Sequence, residues 1–382
     1  MRGCREVCGD WSNIAAVAVE LPPSGVQTVT TPATAYNGSY TVSWTASDGA
    51  ATYELQESAN GGSWTLVQNT AARSLAISGK PTGSYGYRVR ACNPVGCTGY
   101  SATATTAVVY PPTAAPSLSA PARVGPGSIG IGWNAIAGAT RYTLQESANG
   151  AAWVTLLDGN ATSYATPARG VGSYAYRVAA CNGAGCGSWS GNAGVTVVSA
   201  PTLEPVINAP GWVNVRDYAF SWSTPANTEY FILQESANGA GWVTLLADGR
   251  TSAAVGRDNG SYAYRVQACN FVGCGPWSGI ATVNVVLPPP ATSFYIATWL
   301  TTRRPPYQVQ CEAGWREVPG ATEYQLESGG GGERLYTGPY GYVNARGGAY
   351  CAHSYRVRAC NAGGCSAWTA DYPVTTGVLS DE

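Results

Sequence analysis

The sequence predicts an all-β chain of four tandem antiparallel β-sandwiches. Two observations carry that expectation: a period near ninety residues, and short alternating segments such as SYTVSW and YAYRVQA, bounded by Asn-Gly, Gly-Gly, Pro-Pro and Ser-Gly, with no convincing amphipathic helix among them. The period is set by RACNPVGC, Arg90 to Cys97, which returns as AACNGAGC ending at Cys186, QACNFVGC ending at Cys274 and RACNAGGC ending at Cys365. Cys92, Cys181, Cys269 and Cys360 stand 89, 88 and 91 residues apart, too far for a solenoid unit and suited to a small autonomous domain.

The same landmarks recur in order within each period. A tryptophan (Trp44, Trp133, Trp222, Trp315) is followed nine residues later by an aromatic (Tyr53, Tyr142, Phe231, Tyr324), and strand alternation turns both, with the leucine after them, to a buried face. The polar tail LQESANG then reads as a hairpin, because Asn-Gly supplies the positive φ angles of a tight turn; the fourth copy has LESGGGG, an elongated turn without the Lys-Ser of a phosphate loop. A Tyr-x-Tyr-Arg-Val strand leads into the cysteine hairpin, with His353 as the first aromatic of the fourth copy. Proline-bearing linkers (Glu20 to Ser24, Val109 to Thr113, Ser199 to Thr202, Val286 to Ala291) bound repeats at 24–110, 111–199, 200–287 and 288–382, and their stiffness predicts an elongated array, a monomeric rod.

Charged residues make up 11% of the chain and the formal net charge is -1, which argues against nucleic acid or an acidic membrane as partner; no run of 18 apolar residues exists for membrane insertion.

The Trp, the Tyr-x-Leu strand and the Tyr-x-Tyr-Arg-Val-x-Ala-x-Asn-x-x-Gly block resemble the fibronectin type III family over nearly the whole chain, which implies immunoglobulin-like sandwiches. The C-x4-C hairpin with GxWS after it (Gly187 to Ser190, Gly275 to Ser278) is similar to modules of large secreted bacterial proteins, notably those that also carry Rhs or YD repeats. The resemblance implies a secreted or cell-surface spacer or adhesive role.

In that topology the two cysteines of each hairpin face each other about 4.5 Å apart at Cα, within disulfide reach. The pairs would be Cys92 with Cys97, Cys181 with Cys186, Cys269 with Cys274 and Cys360 with Cys365; the remaining cysteines pair as Cys4 with Cys8 and Cys311 with Cys351. Free or redox-active thiols and a metal are the rival readings, although structural zinc takes four ligands and each tip offers two. Each hairpin bond contributes about 2 kcal/mol and the Cys311 bridge about 4 kcal/mol in the chain-entropy estimate, so the expected use of the former is to pin an exposed tip.

No catalytic set, cofactor site or metal site can be assembled. His353, the one histidine, replaces the tyrosine that turns a corner between strands in this family. Glu57, Glu146 and Glu235 recur without a second carboxylate and read as solvated strand-end charges. The GxWS tryptophans could stack on Arg177 and Arg265, which requires a bulge, since plain alternation points them inward. The fourth repeat adds Phe294, Tyr295, Trp299, Tyr336, Tyr340, Tyr342 and Tyr350. Among these, Trp299, Tyr336, Tyr340 and Tyr342 are the candidate contacts for an extracellular protein or glycan, the rival reading being a repacked core.

The chain therefore reads as a non-catalytic stalk, its partners the other domains of a larger exported bacterial protein. The alternatives are a carbohydrate- or protein-binding adhesin array and the accessory domains of a secreted hydrolase. Residues 1–23 read as the last strand and linker of a preceding repeat, since Arg2 to Pro23 aligns with Gln267 to Pro289, one residue shorter between the cysteines, which predicts coding sequence and a signal peptide upstream of Met1.

Overall fold

The computed structural model describes residues 16–301, 309–346 and 352–378, and among them the secondary structure is all β. The first repeat sets the pattern with β1 (Val29–Thr30), β2 (Thr34–Tyr36), β3 (Tyr40–Trp44), β4 (Thr52–Ala59), β5 (Thr65–Thr70), β6 (Ser74–Ile77), β7 (Gly83–Asn93), β8 (Gly96–Cys97) and β9 (Ala104–Val109). One sheet runs β1-β3-β6 and the facing sheet β2-β9-β7-β4-β5, with β8 folded onto β7. Every pair is antiparallel except β2 beside β9, where Thr34 faces Ala107 in parallel. The first strand thus begins in one sheet and ends in the other. Pro32 stands at the switch, with Pro121 and Pro210 at the same place in the next two repeats; without an N–H, proline interrupts the ladder there. The fourth repeat lacks that proline, and its first strand, Phe294–Thr301, runs unbroken in a four-stranded sheet. There the last strand changes sheets instead, Tyr372–Pro373 pairing in the larger sheet and Thr375–Val378 lying parallel to Phe294–Thr301; with that variation, all four repeats are immunoglobulin-like sandwiches. Contacts group the chain into units Met1–Val197 and Val198–Glu382.

Each sandwich encloses its own core. The four tryptophans are 1–7% exposed, and each lies 5.8–6.2 Å from the ring of the aromatic nine residues on. The hairpin turns have Asn60 at φ 51° and Gly61 at φ 76°; in the fourth repeat Gly330 and Gly331 take those roles at φ 76° and 82°. Asn60 Oδ1 accepts from the N–H of Ser84 at 2.9 Å, and a Cβ on Gly83 would lie 2.7 Å from that oxygen, so glycine is required before the Tyr-x-Tyr strand.

Tyr85, Tyr174 and Tyr262 each donate through the phenol to a carbonyl four residues back at 3.1 Å. In the fourth repeat His353 stands at that position and is exposed, and the N–H of Ala352 donates to Tyr355 Oη at 3.2 Å.

Cys4, Cys8, Tyr350 and Cys351 lie outside the described residues. Cys311 is disulfide-bonded and 2% exposed. Trp299 is placed only as a strand position opposite Cys311, its side chain lying outside the described residues.

Candidate functional site

The feature common to all four repeats is the cysteine hairpin and what it grips. Disulfides join Cys92 to Cys97, Cys181 to Cys186, Cys269 to Cys274 and Cys360 to Cys365, at Cα separations of 3.9–4.0 Å. Between the cysteines, Asn93 Oδ1 accepts from the N–H groups of Val95 and Gly96 and so holds the turn. Its Nδ2 faces the other way and donates to the carbonyls of Leu21 at 2.7 Å and Gly49 at 3.1 Å. Leu21 belongs to the linker that enters this repeat. Asn182 holds Tyr110 at 2.8 Å, Asn270 holds Ser199 at 2.8 Å and Asn361 holds Leu287 at 2.9 Å in the same way. Three of these linker residues precede a proline, which keeps them extended.

Glycine makes the contact close: a Cβ on Gly187 would collide with the Pro112 carbonyl, and one on Gly363 with the Val286 carbonyl. Tyr36 of the first repeat lies directly against Gly183 in the hairpin of the second. The tip itself is exposed as expected, with Val95 at 50% and Phe271 at 51%, but its base is not. The hairpin is docked on its own incoming linker, and its first cysteine is 0–7% exposed in every copy.

A correction concerns the recurring glutamates. Glu57, Glu146 and Glu235 are 7–8% exposed, not solvated. Glu57 accepts from Tyr87 Oη at 2.6 Å and pairs with Lys80 Nζ at 2.6 Å. Glu146 accepts from Tyr176 at 2.8 Å and from both Nε and Nη2 of Arg169; Glu235 accepts from Tyr264 at 2.7 Å and Arg257 at 2.8 Å. Such burial is tolerated because each charge is both paired and hydrogen-bonded. The fourth repeat has Ser328 opposite Tyr355, where the first has Glu57 opposite Tyr87, so the carboxylate at the centre of the network is replaced by a hydroxyl there.

Burial, and then the bond to the carboxylate, push the phenols of Tyr87 and Tyr176 far above the usual tyrosine value; for Tyr264 burial leads, followed by the bonds to Tyr218 and Glu235. Unfolded tyrosines ionise near pH 10, so stability from these raised values is complete below about pH 10 and is lost as pH rises above it. In an alkaline titration these three phenols should ionise only in a step together with loss of the β spectrum. Smooth ionisation of all 24 tyrosines near pH 10, with the spectrum intact, would contradict this.

On the outer face of the larger sheet, Arg177 lies between two indoles, 4.2 Å from Trp153 and 4.4 Å from Trp189. Arg265 lies likewise between Trp242 and Trp277, and Arg88 between Trp64 and Tyr100. Each arginine is held flat by a two-pronged bond to a glutamine, Gln145 for Arg177. The bulge that stacking requires is present: pairing steps from Cys181 opposite Cys186 to Ala179 opposite Trp189, one extra residue on the second strand.

In the fourth repeat the candidate aromatics separate. Tyr336 packs on Trp315 at 5.9 Å and its Oη accepts from the N–H of Tyr340, so it belongs to the core. Tyr340 and Tyr342 are 69% and 40% exposed and line a cleft with Tyr295, Arg316 and Glu317, three residues not among the sequence candidates. Among the described residues, the one cluster with metal-ligand chemistry is Glu54 with Cys92 and Cys97. Both sulfurs are bonded to each other and Glu54 is paired with Arg90 at 2.7 Å.

No family model matches the chain, and no curated protein is found similar to it. Among solved structures, it is similar to the crystal structure of the FN1–FN3 domains of chicken CNTN1, at 19% identity and a TM-score of 0.31, over 69% of this chain and 98% of that one.

Proposed function

We propose that the chain is a non-catalytic spacer and interaction segment of a larger exported bacterial protein, acting outside the cell or on its surface. The observation that carries this reading is the asparagine of each disulfide hairpin holding the backbone of the linker that enters its own repeat. A spacer needs its joints restrained, and here the restraint is supplied four times by the same residue. Hairpin disulfides suit an oxidising compartment, and the recurring carboxylates are occupied in ion pairs.

Small-angle scattering from the oxidised chain tests the reading. The expected particle is extended, about 140 Å long, each sandwich contributing roughly 30–40 Å through a proline linker. Asn182→Ala with Asn361→Ala should broaden the distance distribution without unfolding any repeat. A compact globule, or a distribution unchanged by the two substitutions, would sink the reading.

A further inference from the structure

We propose that the fourth repeat carries a binding site for a short neutral glycan, at the cleft walled by Tyr295, Tyr340 and Tyr342. Backbone register gives the counterparts of these residues in the other repeats. The N–H of the core tryptophan donates to one carbonyl of the facing strand in every copy: Arg73, Thr162, Thr251 and Gly341. The residue before that carbonyl is Ala72, Ala161 or Arg250 where the fourth repeat has Tyr340, and the residue after it is Ser74, Ser163 or Ser252 where the fourth repeat has Tyr342. After the tryptophan come Thr45 and Ala46, Asn134 and Ala135, or Ser223 and Thr224, in place of Arg316 and Glu317.

Tyr295 has no counterpart. Phe294 pairs with Trp315 and Ile296 with Gly314, so Tyr295 is an inserted residue, whereas Val29 and Thr30 pair consecutively with Trp44 and Ser43. Bulges of this kind re-aim a side chain. Three tyrosines and an opposite-charge pair thus converge on one place that the sister repeats line mainly with small residues. Gly341 keeps the floor open, because a Cβ there would lie 2.9 Å from the Trp315 carbonyl and 3.0 Å from Glu317 Cγ.

The cleft measures ≈ 400 Å³. Small-ligand sites fall at about 300–1,000 Å³, whereas a protein partner would cover about 800 Å² on each side. Tyr295 and Tyr340 are 58% and 69% exposed, offering rigid apolar ring faces for the C–H face of a pyranose. Arg316 is a donor-only group and Glu317 an acceptor-only group beside it, which suits the paired hydroxyls of a sugar. Their opposite charges leave no net preference for an ionic one, hence a neutral glycan.

The test uses the full oxidised chain and saturation-transfer NMR against linear trisaccharides of glucose, N-acetylglucosamine, mannose and galactose at millimolar concentration. Tyr340→Ala with Tyr342→Ser installs side chains that sister repeats carry at these positions, so an unchanged melting profile is expected and checks the fold. At least one trisaccharide should bind, and the double variant should weaken that binding roughly tenfold or more. Binding of none, or binding undiminished in the variant, overturns the proposal, as does capture of a protein through these tyrosines with no saccharide bound. The site is independent of the spacer reading, whose scattering result stands whichever way this experiment falls.

Discussion

Truncation of Trp222 to alanine is expected to destabilise the third repeat by about 3–5 kcal/mol, the cost of emptying a large aromatic site in a packed core. The indole is 5% exposed and packs on Phe231 at 5.9 Å and on Phe220 at 6.1 Å. Its Nε1 has no hydrogen-bond partner among the described residues, so the loss is one of packing alone, and Trp222→Phe should cost less than Trp222→Ala. Domains of this size have about 5–15 kcal/mol in total. Calorimetry of the whole chain should show one component fall by about 12 °C or more, since each kcal/mol moves such a domain by roughly 4–8 °C. An unmoved thermogram would mean that the repeats do not rest on this residue.

Arg169→Met is expected to cost the second repeat about 3 kcal/mol, because it leaves the buried Glu146 carboxylate with a single phenol for company. Replacing the whole network at once, with Glu146→Leu, Arg169→Met and Tyr176→Phe, should return stability close to that of the parent chain, since apolar groups of similar volume need no partners. Equilibrium unfolding in denaturant would distinguish the two variants. If the single substitution costs only the few tenths typical of a surface pair, the carboxylate is better solvated than its 8% exposure implies.

The sandwich was legible because its determinants are local and periodic. Trp at one position, an aromatic nine residues on and Asn-Gly shortly after are enough to set two strands, their inward face and the turn between them. The ion pairs were missed because the cation comes from a loop: Lys80, Arg169 and Arg257 lie 23, 23 and 22 residues after their glutamates. A signal existed nonetheless, since the fourth repeat loses both members together, with Ser328 in place of the glutamate and no basic residue at that spacing. Of the aromatic surplus in the fourth repeat, Tyr340 and Tyr342 are exposed together in one cleft, whereas the position of others was not legible. Tyr336 was drawn into the core by Trp315, and Tyr295 owes its position to a bulge, which composition cannot reveal.

Because each hairpin holds the segment entering its own repeat, the unit that can be copied is a linker together with the sandwich that follows it. Duplication of such a cassette inserts a new joint already fitted with its restraint, and deletion removes one without orphaning a neighbour. Chain length is then free to drift in steps of about ninety residues. The exceptions to this exchangeability should be the places where one cassette has adapted to the next, and Gly183 beneath Tyr36 is one of them. The hairpin of the third repeat carries Phe271 at the position of Gly183, so placing that cassette directly after the first would set a phenylalanine against the Tyr36 ring.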